Sequence, residues 1–244
     1  MRARILHISI LSLFLVISTG SRMYAQYVDL LWERLAHYPF HQDASDISGF
    51  DNHGIVKGAI LTEDFLGGAG AAYYFDGQDD YILCGNNFES LDSAITVSCW
   101  IKTDVAGGNS HIVSKYDFVS DAGVILGTQD GFAKWAGRMG SGQFIRVTSA
   151  TRINDNRWHN LTGIVEGGTW LLYVDGILEN QVQTGAAQTT LSTAAPLSIG
   201  YYFKGDEGDY QFFKGSIDNV IIYGRALNAC ELDFLLGIYP DIPR

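Results

Sequence analysis

The sequence predicts an all-β fold, a two-sheet sandwich or a barrel with one short helix near the C-terminus. Short runs rich in β-branched and aromatic residues recur roughly every ten residues, a spacing typical of sandwiches and barrels. Asp-Gly and Gly-Gly pairs separate these runs, and both suit tight hairpins because they tolerate positive φ angles. The chain has 244 residues, of which 47% are hydrophobic and 18% charged, so it can bury a core and is not intrinsically disordered.

Strands are predicted along most of the chain. The segment 94–102 (AITVSCWIK) alternates clearly, with Ile95, Val97 and Cys99 on one face and Trp100 among polar residues on the other. The other predicted strands are residues 81–84, 112–115, 123–127, 143–149, 158–165, 169–174, 197–202, 212–213 and 216–223.

One helix is predicted after the last strand. Asn228 is a favourable N-cap and Glu231 follows three residues later, which is the pattern of a capping box. Leu232, Leu235 and Leu236 form an apolar stripe at helical spacing. The sequence shows neither a linker nor a clear repeat, so residues 26–244 are expected to form a single domain.

The first 25 residues have the pattern of a secretory signal peptide. Arg2 and Arg4 precede a mostly apolar run over residues 5–17, and small residues lead to Ala25. Cleavage after Ala25 predicts a secreted, extracellular or periplasmic product, and an uncleaved membrane anchor is the alternative. No later run is long and apolar enough to span a bilayer, so no membrane insertion is expected after cleavage.

The charge balance excludes one class of partner. The chain carries 16 Lys and Arg against 27 Asp and Glu, a formal net charge of −11. Nucleic acids and anionic lipids are bound mainly through Lys and Arg, so neither is an expected partner.

The three cysteines allow two interpretations. An exported chain can form disulfides, and Cys84 and Cys99 end two nearby strand-like runs. They either form a bridge or stay reduced as small buried residues. Because the number of cysteines is odd, at least one, such as Cys230, stays free or pairs between chains.

Several local patterns together point to a family. They are residues 35–40 (LAHYPF), 46–49 (DISG), 52–54 (NHG), 71–77 (AAYYFDG), 79–82 (DDYI), 95–102 (ITVSCWIK), 158–161 (WHNL), 172–176 (LYVDG), 199–200 (IG), 214–223 (KGSIDNVIIY) and 225–227 (RAL) with Glu231. In this order the chain resembles a laminin-G-like, concanavalin A-like jelly-roll domain over about residues 31–236. The resemblance, to a type common in secreted bacterial proteins, implies two large antiparallel sheets packed face to face, one of them concave.

The resemblance does not bring a catalytic motif with it. Jelly-roll relatives that hydrolyse glucans place two carboxylates on one strand, as Glu-x-Asp-x-x-Glu or a close variant, for acid/base and nucleophile roles. This sequence has no such strand, because Glu231 and Asp233 lie in the predicted helix. A non-catalytic protein is therefore expected, and a polysaccharide lyase or hydrolase with an unrecognised site is the alternative.

The resemblance also implies a structural Ca²⁺ that joins the N-terminal segment to the last strand. Its side-chain ligands would be Asp46 and Asp218, since Ca²⁺ takes carboxylate and carbonyl oxygens. The alternative is that Asp46 begins an Asx turn and Asp218 accepts hydrogen bonds from strand or loop amides.

Two segments combine aromatic and polar residues in the way that sugar sites do. Residues 131–138 form a Gly-flanked, loop-like stretch with Trp135 and Arg138, and residues 201–211 form a polar loop with Tyr202 and Tyr210. The function expected from the resemblance is a secreted, non-catalytic binding domain for carbohydrate. A cell-surface adhesive or structural domain that binds other proteins is the competing hypothesis.

Overall fold

The computed structural model describes residues 29–86, 94–117, 120–138, 143–184, 193, 195–202 and 211–237. In chain order the elements are β1 (Arg34–Tyr38), β2 (Ile55–Lys57), β3 (Ile60–Thr62), β4 (Ala72–Asp76), β5 (Tyr81–Leu83), β6 (Ala94–Lys102), β7 (Asn109–Asp117), β8 (Ala122–Gln129), β9 (Phe132–Arg138), β10 (Ile145–Arg152), β11 (Trp158–Glu166), β12 (Thr169–Val174), β13 (Ile177–Gln183), β14 (Ser198–Ile199), β15 (Lys214–Tyr223) and α1 (Ala229–Leu236).

The strands form two antiparallel sheets, which confirms the predicted jelly-roll sandwich. The first sheet has the order β13-β12-β11-β6-β15-β4-β3, and β1 pairs with β15 as its eighth strand. The second sheet has seven strands in the order β10-β9-β8-β7-β14-β5-β2. Strands that neighbour each other in space are often distant in sequence; for example, β6 lies between β11 and β15.

The core fills the space between the sheets. Trp135 of β9 and Trp170 of β12 face each other across it, with ring centroids 5.6 Å apart. Gly163 of β11 leaves the room for this pair, because a Cβ atom there would lie 2.3 Å from the Trp135 ring. Large side chains therefore fill the interior by fitting against small ones, as close packing requires.

The capping box predicted for the helix is confirmed. The Asn228 side chain accepts a hydrogen bond from the Glu231 amide, and the Glu231 carboxylate accepts one from the Asn228 amide. Gly237 ends the helix in the left-handed region, at φ 66°. Leu232 packs with Ile221 and Tyr223, so α1 covers part of the outer face of the first sheet.

The strand predictions hold for β6 and β12, whose ends agree residue for residue. The prediction of a loop over residues 131–138 is wrong, because Phe132–Arg138 is strand β9 between β8 and β10. The predicted strand at residues 212–213 lies instead in irregular structure, just before β15 begins.

Cys84 and Cys99 are free thiols, and both are buried. Of the two interpretations, the structure therefore has the reduced, buried pair. Cys99 lies in β6 of the first sheet, whereas Cys84 directly follows β5 of the second. The predicted signal peptide, residues 1–25, lies outside the described residues. The described part of the chain contains no helix with the length and apolar character that a membrane span requires.

Candidate functional site

The outer face of the second sheet carries an unusual set of polar side chains. Side chains alternate along each strand, so Trp135 points into the core while its neighbours Lys134 and Arg138 point away from it. The set is here called the outer polar face and consists of His111, Tyr116, Gln129, Lys134, Arg138 and Tyr202.

Strand register brings His111 and Lys134 together. His111 of β7 and Lys134 of β9 both lie opposite Gly127 of β8, one on each side. A Cβ atom at Gly127 would lie 3.3 Å from the Lys134 side chain and 2.2 Å from the Ser110 carbonyl oxygen. The glycine therefore allows the lysine to lie across the middle strand.

Three polar atoms on the outer polar face are buried without a hydrogen-bond partner. They are Nδ1 of His111, Oε1 of Gln129 and Nε of Arg138. Buried polar atoms are almost always hydrogen-bonded, because an unpaired one costs about 1–3 kcal/mol. Only one other such atom occurs in the described residues, Nε of Arg34. The unpaired groups are thus concentrated on one face of one sheet.

His111 is held firmly although its ring nitrogen has no partner. Only 6% of the residue is exposed, and its ring meets the Tyr202 ring edge to face at 5.2 Å. Burial, and next the charge of Lys134, lower the pKa of His111 to about 3. The imidazole is therefore neutral at pH 7, with one nitrogen able to donate a hydrogen bond and the other able to accept one.

Lys134 carries a buried ammonium group with few hydrogen-bond acceptors among the described residues. The residue is 4% exposed, and burial, followed by the charge of Arg146, lowers its pKa to about 8. In the part of the chain that the structure describes, the one acceptor for its Nζ is Oδ1 of Asn109, at 3.4 Å. That distance is long for a hydrogen bond to a charged nitrogen.

Lys115 shows how a buried lysine of the same sheet is normally satisfied. Its Nζ donates to Asn86 Oδ1 at 2.6 Å and to the carbonyl oxygen of Ala195 at 2.6 Å. The carbonyl and hydroxyl oxygens of Thr193 lie at 2.9 and 3.3 Å. Lys115 thus fixes the segment before β14 to the sheet, a structural role that Lys134 does not have.

Arg138 and Tyr202, two of the residues predicted from sequence, both lie on this face. The Arg138 guanidinium pairs with the Asp121 carboxylate at 2.9 Å, and the Tyr116 hydroxyl donates to the same carboxylate. Tyr116 in turn packs against Tyr202, with ring centroids 5.8 Å apart. The Arg138 side chain is 32% exposed, so the face is open to solvent on this side.

The prediction of Trp135 as a sugar platform is wrong. The residue is 0% exposed, and its indole nitrogen donates to the Ile164 carbonyl oxygen at 3.2 Å. The reason is that residues 132–138 form a strand whose alternation sends Trp135 inward. Tyr210 lies outside the described residues. His111, Gln129 and Lys134 were missed because no local motif marks them. His111 and Lys134 come together only through pairing of β7, β8 and β9, and Gln129 lies two residues along β8 from Gly127 between them.

The Asp46 carboxylate accepts hydrogen bonds from its own loop and from strand β1. Oδ1 accepts hydrogen bonds from the amides of His37 and Ser48, both at 2.9 Å. Oδ2 accepts from the Ser48 hydroxyl at 2.8 Å and the Asn52 amide at 3.1 Å. This is the Asx turn given as the alternative to a Ca²⁺ ligand, and it engages both carboxylate oxygens.

Asp218 is buried on the outer face of the first sheet, opposite Trp100. Burial, assisted by the charge of Asp64, raises the pKa of Asp218 to about 7. Hydrogen bonds from the amides of Asn219 and Phe65 act in the opposite direction and lower it. Both Asp46 and Asp218 accept hydrogen bonds from backbone amides. These contacts therefore suit carboxylates that hold a turn or loop better than two ligands of one ion. Ca²⁺ binding by this pair stays an untested expectation of the resemblance, and the Asx turn is the alternative that these contacts favour.

One group of three acidic side chains in the described residues has its oxygens within 4.8 Å of one another: Asp76, Asp79 and Asp80. Within it, Asp80 accepts a hydrogen bond from the Asp76 amide at 2.8 Å, which is turn chemistry at the end of β4. Neither of the residues predicted to bind Ca²⁺ belongs to this group.

Comparison with known proteins places the chain among sandwich domains of one superfamily. Residues 76–233 match the family model described as the Concanavalin A-like lectin/glucanases superfamily. No curated protein matches the sequence.

Solved structures with a similar fold include binding domains of Paraclostridial Mosquitocidal Protein 1 and of botulinum neurotoxins. The binding domain of Paraclostridial Mosquitocidal Protein 1 superposes with a TM-score of 0.69 at 19% identity, over 85% of this chain and 52% of that one. The botulinum neurotoxin serotype D binding domain gives 0.67 at 15%, over 84% and 50%. A botulinum neurotoxin type C structure, described as dependent on two ganglioside molecules for cell entry, gives 0.65 at 14%, over 84% and 51%. At these identities the likeness shows the fold, and the chain spans about half the length of those domains.

Proposed function

We propose that this chain, which belongs to the Concanavalin A-like lectin/glucanases superfamily, is a non-catalytic domain that binds carbohydrate on its outer polar face. The observation that carries the proposal is that three buried polar atoms without partners, His111 Nδ1, Gln129 Oε1 and Arg138 Nε, lie along that face. Arg138 lies opposite Gly123 and Gln129 opposite Phe132, so the atoms extend from one end of β8 to the other, a length that suits an oligosaccharide. A folded protein retains such atoms at a cost in stability, and a ligand that pairs with them offsets that cost.

The chemistry of the outer polar face suits a sugar. A neutral imidazole and an amide oxygen complement hydroxyl groups, which both donate and accept hydrogen bonds. Tyr116 and Tyr202 form a small buried aromatic cluster beside these polar groups, the combination of apolar and polar side chains that is typical of sugar sites. The ganglioside dependence of the similar toxin of type C agrees with a sugar-binding role for this superfamily fold.

The proposal is tested by a glycan array followed by titration calorimetry with two variants. His111→Phe keeps the edge-to-face contact with Tyr202, and Gln129→Leu keeps most of the side-chain volume. Each is expected to weaken glycan binding about tenfold, because one hydrogen bond to the ligand is lost. Each is also expected to leave Tm unchanged or higher, because it removes an unpaired buried atom.

Gln181→Leu is the matched control, since Gln181 is exposed on β13 at the far edge of the other sheet. It should change neither glycan binding nor Tm by a measurable amount. An array without any glycan ligand for the folded protein would contradict the proposal. Cleavage of a bound glycan would instead support the lyase or hydrolase alternative.

A protein-binding, adhesive role is the second candidate, and one observation favours it. β2 and β3 are edge strands, one in each sheet, and they expose Ile55 and Ile60, with Leu61 and Leu66 exposed nearby. Exposed apolar edge strands can pair with a strand of another protein. If the chain binds cell-surface proteins but not glycans, and an Ile60→Lys change abolishes that binding, this role replaces the first.

Export is part of the proposal, with residues 1–25 as a signal peptide and an extracellular or periplasmic mature protein. The n-region, apolar run and small residues before Gln26 support it. N-terminal sequencing of the exported product tests it, and a first residue of Gln26 is the expected result.

A further inference from the structure

We propose that the saccharide bound by the outer polar face is an anionic one, whose carboxylate or sulfate group binds the ammonium group of Lys134. This inference rests on the proposed function and names the chemical class of its ligand. It is carried by the contrast between two buried lysines of one sheet and by the charges around one of them.

The contrast concerns the number of oxygens around each ammonium group. Lys115 has four oxygen acceptors within 3.3 Å, so the fold itself satisfies its charge. Lys134 is buried to the same degree, yet in the described residues its single acceptor is a neutral amide oxygen at 3.4 Å. A buried charge is costly unless it is paired and hydrogen-bonded. The ammonium group of Lys134 can therefore still bind an anion.

The surrounding charges strengthen this preference. The charged side chain that acts on Lys134 is Arg146, a second cation, which extends from β10 and is exposed. Two acids lie near this face, Asp121 and Asp117, and the charges of both act on Tyr202. Asp121 is paired with Arg138 and hydrogen-bonded by Tyr116, and Asp117 accepts a hydrogen bond from the Ser120 hydroxyl. The charge that acts on Lys134 itself is thus a second cation, while the two acids near the face are hydrogen-bonded within the protein, and this local arrangement favours an anion at Lys134.

This local field stands against the net charge of the whole chain, which is −11. A general attraction of polyanions is therefore excluded, and an anion must be recognised by specific contacts. His111 lies beside Lys134 and is neutral at pH 7, and Gln129 lies on the next strand. The hydroxyl groups of a sugar can therefore pair with His111 and Gln129 while the acidic substituent of the same sugar binds Lys134.

The experiment compares oligosaccharides of galactose, of galacturonic acid and of sulfated galactose by calorimetry at low and moderate salt. The wild type is expected to bind one of the two acidic forms about tenfold or more tightly than the neutral form, because a charge-assisted hydrogen bond is added. The two acidic arms distinguish a carboxylate from a sulfate ligand. Added salt should reduce this preference, since ionic contacts are screened.

Lys134→Met removes the charge at nearly constant volume and is expected to abolish the preference for the acidic form. Loss of a poorly paired buried charge should leave Tm unchanged or higher, and Lys134→Gln serves as a second variant. Lys57→Met is the control, because Lys57 is exposed on β2 at the opposite edge of the sheet. It should retain the preference.

Equal binding of neutral and acidic forms, with no effect of Lys134→Met, would overturn the inference and leave the proposed function in place. A preference for acidic forms that persists in Lys134→Met would also overturn it, because the anion would then bind elsewhere. Absence of binding to every saccharide on the array would overturn both the inference and the proposed function.

Discussion

Trp135→Ala tests whether this side chain belongs to the core or to a ligand site. The indole is 0% exposed, packs against Trp170 and donates to the Ile164 carbonyl oxygen. Replacing a buried Trp by Ala costs about 3–5 kcal/mol through lost burial and the cavity left behind. For a domain of this size each kcal/mol lowers Tm by about 2–4 °C. The expected fall in Tm is therefore roughly 6–20 °C.

Gly163→Ala probes the same contact from the opposite sheet. The new methyl group would begin 2.3 Å from the Trp135 ring, so the ring must move or the sheets must separate. Overpacking of this kind costs about 1–3 kcal/mol. Combined with Trp135→Leu, the glycine change should cost clearly less than it does alone, because the smaller side chain frees the space.

Thermal and urea unfolding, followed by circular dichroism, measure these free energies. Leu66→Ala is the control, since Leu66 is 80% exposed and its truncation should stay within about 0.5 kcal/mol. If Trp135→Ala changed the free energy of unfolding as little as the control does, the placement of Trp135 between the sheets would be refuted.

Three further predictions concern charged groups. Burial opposes protonation of His159, but hydrogen bonds to two aspartates outweigh burial and raise the pKa of His159 above 6.5. The stability that His159 contributes is therefore full below pH 6.5 and is lost as pH rises through its folded-state pKa. The difference in unfolding free energy between wild type and His159→Gln should therefore shrink from pH 5.5 to 8, and a constant difference would count against it. Lys115→Met should cost about 1–3 kcal/mol in a urea titration, because it leaves buried carbonyl oxygens unpaired, whereas an unchanged midpoint would contradict the structural role. Because the Asp46 oxygens are already used, equal Tm values are expected in calcium and in chelator; a calcium-dependent rise that Asp218→Ala abolishes would instead support the metal.

The sequence carries enough local information to predict the class of fold. β6 and β12 were predicted with the correct ends, because alternation and β-branched residues coincide there. The helix was predicted from its capping box, which is a contact between residues three apart. Features of this kind depend on neighbours in sequence, so they can be recognised without knowing the tertiary structure.

Strand β9 shows where this reasoning fails. Residues 132–138 (FAKWAGR) mix small, charged and aromatic residues, and flanking glycines give the stretch a loop-like appearance. Pairing with β8 and β10 makes it a strand, and the alternation of that strand directs Trp135 inward. Gly163 across the core leaves room for the ring.

The candidate site could be predicted only in part. Arg138 and Tyr202 were found because each stands in a segment of suitable composition. His111 and Lys134 were not found, since each is an isolated polar residue in its strand. They become neighbours through Gly127, whose position between them follows from the register of three strands.

A crystal of the complex, grown with the best ligand from the array, would show where on the domain the oligosaccharide binds. The predicted result is a sugar on the outer polar face, within hydrogen-bond distance of His111, Gln129 and Lys134. A sugar bound at the edge strands β2 and β3, or on the outer face of the first sheet, would contradict the claim.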